Sequence, residues 1–113
     1  MCFWFNQRIK KLIFVKNPPD GIFAVNELYA ALAMKAAKER GLKIPQDIEI
    51  IGFTDGIISE FSSPSLTTVV QHGFTMGTNA AEMLINRIEN KTDGDFQTEV
   101  ISANIKFRES TLN

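Results

Sequence analysis

The stretch IEIIGFTDG, residues 48–56, decides how this chain can fold. Its first six residues are mostly apolar and do not alternate regularly with polar ones, which is typical of a strand covered on both faces. It then ends on a hydroxyl, a carboxylate and a glycine, at Thr54, Asp55 and Gly56. Asp-Gly is a common turn signal, so a turn alone accounts for this ending. Whether these residues also belong to a binding site depends on which other chain segments lie beside the turn.

Strands and helices alternate around this stretch. IFAV (22–25) is another short apolar run, and the segment Glu27 to Arg40 is rich in helix formers, acidic at its start and basic at its end, with Gly41 to stop it. TTVV (67–70) predicts a third strand, followed by an amphipathic helix over 74–89. This order predicts an α/β fold with a parallel sheet.

Two segments are harder to assign. TEVISANIKF (98–107) alternates and predicts a last strand with one exposed face. Residues 1–16 fit either an amphipathic helix or a strand, which the two prolines of KNPPDG must end. The helix over 27–40 carries apolar residues on more than one face, so it either buries a second surface, for example against another subunit, or exposes some apolar area.

Polar side chains follow the predicted strands. In parallel sheets, ligands bind outside the carboxyl ends of the strands, and those ends here carry Asn26, Thr54 with Asp55, and Gln71. Two of them have a simpler interpretation: Asn26 as a helix N-cap and Asp55 as a turn residue. Together they are amide and carboxylate groups suited to a polyhydroxyl ligand.

Composition excludes several classes of protein. The 113 residues are 44% hydrophobic, enough for a core, and 12 basic against 13 acidic residues give a net charge of −1. A duplex-binding domain would be more basic than a pI near 5.8. The basic residues at 8, 10, 11 and 16 form a local bias that fits a solvated face. One cysteine, Cys2, and no signal peptide or membrane span predict a cytoplasmic protein.

No catalytic arrangement stands out. His72 is the only histidine, no nucleophile motif or phosphate-binding loop is present, and no metal-ligand spacing occurs. Asp93 and Asp95 lie in KTDGD, which predicts a solvated turn. We therefore expect a protein that binds and is not an enzyme, with no cofactor and no metal.

Four segments, in the same order and spacing, resemble the C-terminal part of the lactose/galactose repressor (LacI/GalR) family of transcription regulators. They are PPDGIFAVNE with the helix after it, IEIIGFTDG, SPSLTTVVQ and IKFREST, and they cover residues 17–113. The resemblance implies part of a two-lobed, type I periplasmic-binding-protein-like core that binds a sugar-like effector. It also implies that residues 74–89 pack in the other lobe, which this sequence does not contain, and it leaves residues 1–16 as an atypical N-terminal segment.

The resemblance also implies site residues. Asn26 matches the Asn of the family's AND stretch, Asp55 matches the second acid of GYDD or GFDD, and Gln71 matches the Gln after the third strand. Thr54 stands where the family usually has an Asp that binds ligand hydroxyls. A hydroxyl both donates and accepts a hydrogen bond, but it does not replace a charged acceptor, so this departure leaves the effector's identity open.

The implied partners are a small-molecule effector, a second copy bound through helix 27–40 and loop 56–61, and operator DNA contacted through a helix-turn-helix head that these residues do not resemble. No membrane partner is expected. One alternative is a fragment of a periplasmic sugar-binding protein of a transporter, against which the KFREST ending counts. The other alternative is a small free-standing α/β enzyme. Such an enzyme would need a nucleophile or an acid pair, and the sequence shows neither.

Overall fold

The computed structural model describes residues 2–89, 91 and 94–112, without the side chains of Cys2, Phe3 and Phe5. The helices are α1 (Cys2–Ile13), α2 (Glu27–Arg40), α3 (Ile57–Phe61) and α4 (Gly73–Ile88), and the strands are β1 (Gly21–Ala24), β2 (Glu49–Phe53), β3 (Thr67–Val70) and β4 (Asn104–Lys106). The chain forms two compact units, Met1–Val70 with Asn104–Asn113, and Gln71–Ala103.

The first unit is built on a four-stranded sheet in the order β1-β2-β3-β4. The first three strands are parallel, and β4 pairs antiparallel to β3. On β2, Ile50 and Gly52 are buried, and a Cβ on Gly52 would touch the side chains of Leu66 and Ala30. This face of the sheet therefore lies directly under α2, and the predicted α/β class with a parallel sheet is confirmed.

The N-terminal segment forms a helix, which settles the question that its sequence left open. Helix α1 packs against α2, and its Ile9 and Ile13 join the core with Ile48, Ile50 and Leu66. Ile13 and Ile9 are one turn apart, so a single stripe of α1 is buried. On the surface, Lys10 and Glu39 form an ion pair of 2.6 Å, and this hydrogen bond from Lys10 holds the pKa of Glu39 below its ordinary value.

Part of the apolar surface of α2 is buried within its own unit, while Leu28 stays exposed. Ala30, Ala33, Met34, Ala36 and Ala37 are all buried, and α2 contacts α1, β1, β2 and α3. The interpretation that the surplus apolar surface needs another subunit is therefore unnecessary for these residues, because α1 covers what the sheet does not.

The last strand is shorter than predicted. The alternation over 98–107 predicts ten residues of strand, but β4 holds only Asn104–Lys106. Strand β3 has four residues, and only Thr68, Val69 and Val70 pair with β4. Residues 98–103 belong to the other compact unit and have no neighbouring strand, so their alternation has no sheet to join. The segment 56–61, predicted as a loop, contains the short helix α3.

The second unit consists of α4 and the segment that follows it. No residue of α4 is buried, although Leu84, Ile85 and Ile88 are large and apolar. Asn79 donates to Glu99 at 2.7 Å, and the Arg87 guanidinium lies 4.4 Å from the centre of the Phe96 ring. Asp93 of the predicted polar turn lies outside the described residues. Among the described helices, none combines the length and the apolar character needed to cross a membrane.

Candidate functional site

Two of the predicted site segments lie at one rim of the sheet. Ala24 of β1 pairs with Gly52 of β2 in parallel register, so the residues that follow each strand emerge at the same edge. Asn26 follows β1, and Thr54 with Asp55 follows β2. The carboxyl ends of neighbouring parallel strands are where open α/β sheets bind ligands. We refer to Asn26, Thr54 and Asp55 as the rim residues.

Asn26 is the N-cap of α2. Its Oδ1 accepts a hydrogen bond from the backbone N–H of Tyr29 at 2.9 Å, and its backbone carbonyl accepts one from Ala30 at 3.1 Å. Its backbone is extended, as an N-cap requires. The simpler interpretation of this residue is thus correct, and the cap fixes the direction in which the amide Nδ2 can donate.

Thr54 has the left-handed backbone conformation, with φ of 77°. A β-branched residue rarely adopts positive φ, and such strain of roughly 1–3 kcal/mol persists only where the surroundings enforce it. The Thr54 N–H donates to the carbonyl of Val69 on β3 at 3.0 Å. This bond continues the pairing of β2 with β3 by one residue and ties the start of the turn to the sheet.

Asp55 is held by three donors. Its Oδ1 accepts from Nη2 of Arg108 at 2.6 Å and from Oγ1 of Thr68 at 2.9 Å, and its Oδ2 accepts from Nζ of Lys106 at 3.2 Å. Burial, the largest single influence, raises the pKa of Asp55, but the hydrogen bonds from Arg108, Thr68 and Lys106 together outweigh it and leave the pKa below its ordinary value. Asp55 is therefore ionised at neutral pH and paired with a guanidinium.

The residues after Arg108 fasten the same tail to the sheet. Glu109 accepts from both the N–H and the hydroxyl of Ser65, at 2.8 and 2.9 Å, and these bonds lower its pKa. The hydroxyls of Thr111 and Thr67 lie 2.7 Å apart. Each polar residue of the REST sequence thus has a partner on or beside β3, which explains why a polar tetrapeptide lies against a buried strand.

Sequence reasoning did not identify Arg108 or Lys106 as neighbours of the rim. Asp55 and Arg108 are 53 residues apart, and no periodicity links them. The sequence signal was limited to the predicted last strand. Its antiparallel pairing with β3 places Lys106 opposite Thr68, whose hydroxyl donates to Asp55.

Glu27 is a second residue that sequence reasoning missed. Its Oε2 accepts from the N–H of Gly56 at 3.0 Å, and from the N–H and the hydroxyl of Ser59 at 3.1 and 2.8 Å. It thereby satisfies donors at the start of α3. A Cβ at position 56 would overlap the carboxylate of Glu27, so a larger residue there would have to displace this carboxylate from its donors.

Gln71 and His72 follow β3 and begin the second compact unit. Gln71 as a ligand-binding residue therefore stays a prediction. His72 occupies the N-cap position of α4 with a left-handed backbone, φ 54°, and its side chain does not cap the helix. In the described part of the chain, no group of three or more metal-ligating side chains occurs.

Comparison with known proteins decides the family. The periplasmic binding protein-like domain matches residues 3–111, almost the whole chain. The chain belongs to this family. The match begins at residue 3 and so includes α1.

Its relatives are transcription regulators, which confirms the resemblance to the LacI/GalR group. The domain is 39% identical over 107 residues to the ribose operon repressor of Halalkalibacterium halodurans, covering 93% of this chain and 32% of that protein. It is 36% identical over 107 residues to a probable HTH-type transcriptional regulator, EndR, of Paenibacillus polymyxa, covering 92% and 32%.

The fold also matches that of a solved structure from the LacI family. A LacI family transcriptional regulator from Arthrobacter sp. FB24, crystallised in complex with lactose, superposes with a TM-score of 0.85 at 27% identity, over 95% of this chain and 40% of that one. This periplasmic binding protein-like chain spans about a third of the length of the curated relatives it matches.

Proposed function

We propose that this chain is the C-terminal part of the effector-binding core of a LacI-type transcription regulator, and that the intact protein binds a sugar-like effector. The observation that carries the proposal is the rim, where Asn26 and Thr54 follow neighbouring parallel strands. Relatives named as repressors, and one solved with lactose, support a sugar over other small molecules. They also favour a regulator over a transport protein.

The proposed ligand-binding residues are Asn26, Thr54, Asp55 and Gln71. The first three offer an amide donor, a hydroxyl and a carboxylate, which are groups that pair with the hydroxyls of a sugar. The carboxylate of Asp55 is paired with Arg108 and not poised as a base, so the proposed role is binding and not catalysis. Helix α4, which has no buried residue, is assigned to the other lobe of the core.

In the intact regulator, the effector would act by differential affinity. An effector that binds one arrangement of the two lobes more tightly shifts the population toward that arrangement. The shift reaches operator DNA through a head outside these 113 residues, as a coupling free energy between two sites. Such a regulator works in the cytoplasm, where the operator is.

A second copy is the proposed protein partner, through α2 and residues 56–61. Ile57 and Phe61 of α3 are 72% and 78% exposed, and Leu28 of α2 is also exposed. Beside them lies a groove of about 510 Å³, lined by residues of α2 and by Ser62 and Ser63. Large exposed apolar side chains beside a groove favour a protein interface.

Sugar binding is tested by amide chemical shifts of the 113-residue chain during titration with D-ribose and with lactose. Because the chain spans a third of its relatives, we expect millimolar dissociation constants, about −4 kcal/mol, with saturable shifts at Asn26 and Thr54. Thr54→Val removes the hydroxyl at constant shape and should abolish them. Thr75→Val, at an exposed position of α4, is the matched control. The absence of saturable shifts with either sugar would refute the site, and micromolar binding would refute its incompleteness.

Dimer formation is tested by sedimentation velocity. The double variant Ile57→Glu with Phe61→Glu places two charges in the proposed interface and should lower the dimer fraction. Gln97→Glu adds a charge at an exposed residue outside this surface and should leave the dimer fraction unchanged. An unchanged dimer fraction in the double variant would exclude α3 from the interface.

A further inference from the structure

We propose that Arg108 is a positioning residue for the ligand site. It holds Asp55, and through Asp55 it keeps Thr54 in the left-handed conformation that directs the Thr54 hydroxyl. This inference rests on the proposed function, because it takes Thr54 as a ligand-binding residue and Asp55 as the residue that holds the turn in place. Arg108 acts from the C-terminal tail and does not touch the ligand.

The guanidinium of Arg108 is fixed by three acceptors. Nη2 donates to Oδ1 of Asp55 at 2.6 Å, and Nη1 donates to the carbonyl of Leu66 at 2.7 Å and to Oγ1 of Thr68 at 3.1 Å. Its side chain is only 11% exposed. A planar donor with several fixed acceptors has one orientation, so it sets the position of the carboxylate that it binds.

The turn that this carboxylate belongs to carries strain. Thr54 is β-branched and has φ of 77°, a strained conformation that persists only where the surroundings enforce it. On the N-terminal side, the Thr54 N–H is bonded to Val69. On the C-terminal side, Oδ1 of Asp55 is bonded to Arg108 and Thr68. Two anchors on adjacent residues restrict the Thr54 backbone, and Arg108 supplies the shortest bond of the second anchor, at 2.6 Å.

The two oxygens of Asp55 therefore differ. Oδ1 is committed to Arg108 and Thr68, whereas Oδ2 contacts Nζ of Lys106, whose side chain is 54% exposed. Exposed ion pairs contribute little to stability, so a ligand hydroxyl can replace Lys106 at Oδ2 at small cost. Thr54 and Oδ2 of Asp55 then face the ligand, while Oδ1 supports the turn.

The test uses the full chain without ligand. The readouts are the Thr54 amide exchange rate, relative to the Glu49 amide at the other end of β2, and the strong intraresidue HN–Hα cross-peak that positive φ produces. In Arg108→Met and in Asp55→Asn, we expect Thr54 to exchange about tenfold faster and the cross-peak to weaken. The double variant should show about the same tenfold change and not a hundredfold one, because both substitutions act on Thr54 by removing the Asp55–Arg108 ion pair.

Lys106→Met is the matched control, since Lys106 donates to the same carboxylate from an exposed position, and Thr54 exchange should change less than about threefold. Additive effects in the double variant, an intact cross-peak in Arg108→Met, or an equal effect of Lys106→Met would each overturn the positioning role. These readouts need no sugar, so a failure to bind D-ribose or lactose would count against the proposed function alone.

Discussion

The hydroxyl of Ser110 donates to the backbone carbonyl of Ile50 at 2.6 Å, across 60 residues of sequence. The same oxygen accepts the N–H of Thr67 at 2.8 Å, and Ser110 is completely buried. One side chain thus bridges β2 and β3 at the point where their direct pairing begins. The tail after β4 is an integral part of the sheet.

Replacement of Ser110 by Ala should destabilise the fold by roughly 1–3 kcal/mol, because the buried N–H of Thr67 would lose its acceptor. Urea denaturation followed by circular dichroism measures the difference in unfolding free energy. Ser63→Ala removes an exposed hydroxyl and should stay within about 0.5 kcal/mol of the wild type. Equal stability of Ser110→Ala and the wild type would show that water or a shifted tail replaces the serine.

Glu27→Ala should cost about 2 kcal/mol and loosen α3, since the amides of Gly56 and Ser59 would lose a charged acceptor. Amide exchange at Ser59 should accelerate with the loss of stability. The matched control is Glu60→Ala, which removes an exposed carboxylate from α3 itself. If both variants behaved alike, the capping role of Glu27 would be wrong.

The Asp55–Arg108 pair should make stability depend on pH in acid. The pKa of Asp55 is lowered in the folded state, so its contribution is fully present above the ordinary value of 3.8 and is lost as pH falls through the lowered value. Unfolding free energies of the wild type and of Asp55→Asn should therefore converge as pH decreases through this range. A constant difference between them would show that the charge of Asp55 does not contribute.

Self-association beyond a dimer is expected for this chain, because α4 exposes Leu84, Ile85 and Ile88 together. The double variant Leu84→Glu with Ile88→Glu should reduce the concentration dependence of light scattering. Asn86→Glu, on the same helix, adds a charge without removing apolar surface and should have a smaller effect. A monodisperse wild type at high concentration would contradict the prediction.

Sequence patterns predicted most of the local structure. The bounds of α2 and β3 agree with the structure. For α2 the reason is that Asn26 and Gly41 cap the helix through their own side-chain and backbone chemistry. The family resemblance is confirmed, since it rests on four separate segments in order. The rim placement of Asn26 and Thr54 followed from the parallel order of β1 and β2 alone.

Other features had no local signal. Alternation over 98–107 predicts a strand at every position, but only three residues find a partner strand. The apolar surplus of α2 could not show that α1 covers part of this helix, because the two helices meet only in the tertiary structure. The roles of Arg108 and Glu27 depend on residues 53, 29 and 32 positions away.

The sequence by itself determined the ends of α2, the apolar runs of the parallel strands and the polar residues that follow them, because caps, turns and apolar runs act over a few neighbouring residues. Tertiary structure alone decided which strand edge was paired, which apolar faces were covered and which charge held Asp55. Those outcomes depend on contacts between distant segments, whose geometry exists only once the sheet has formed.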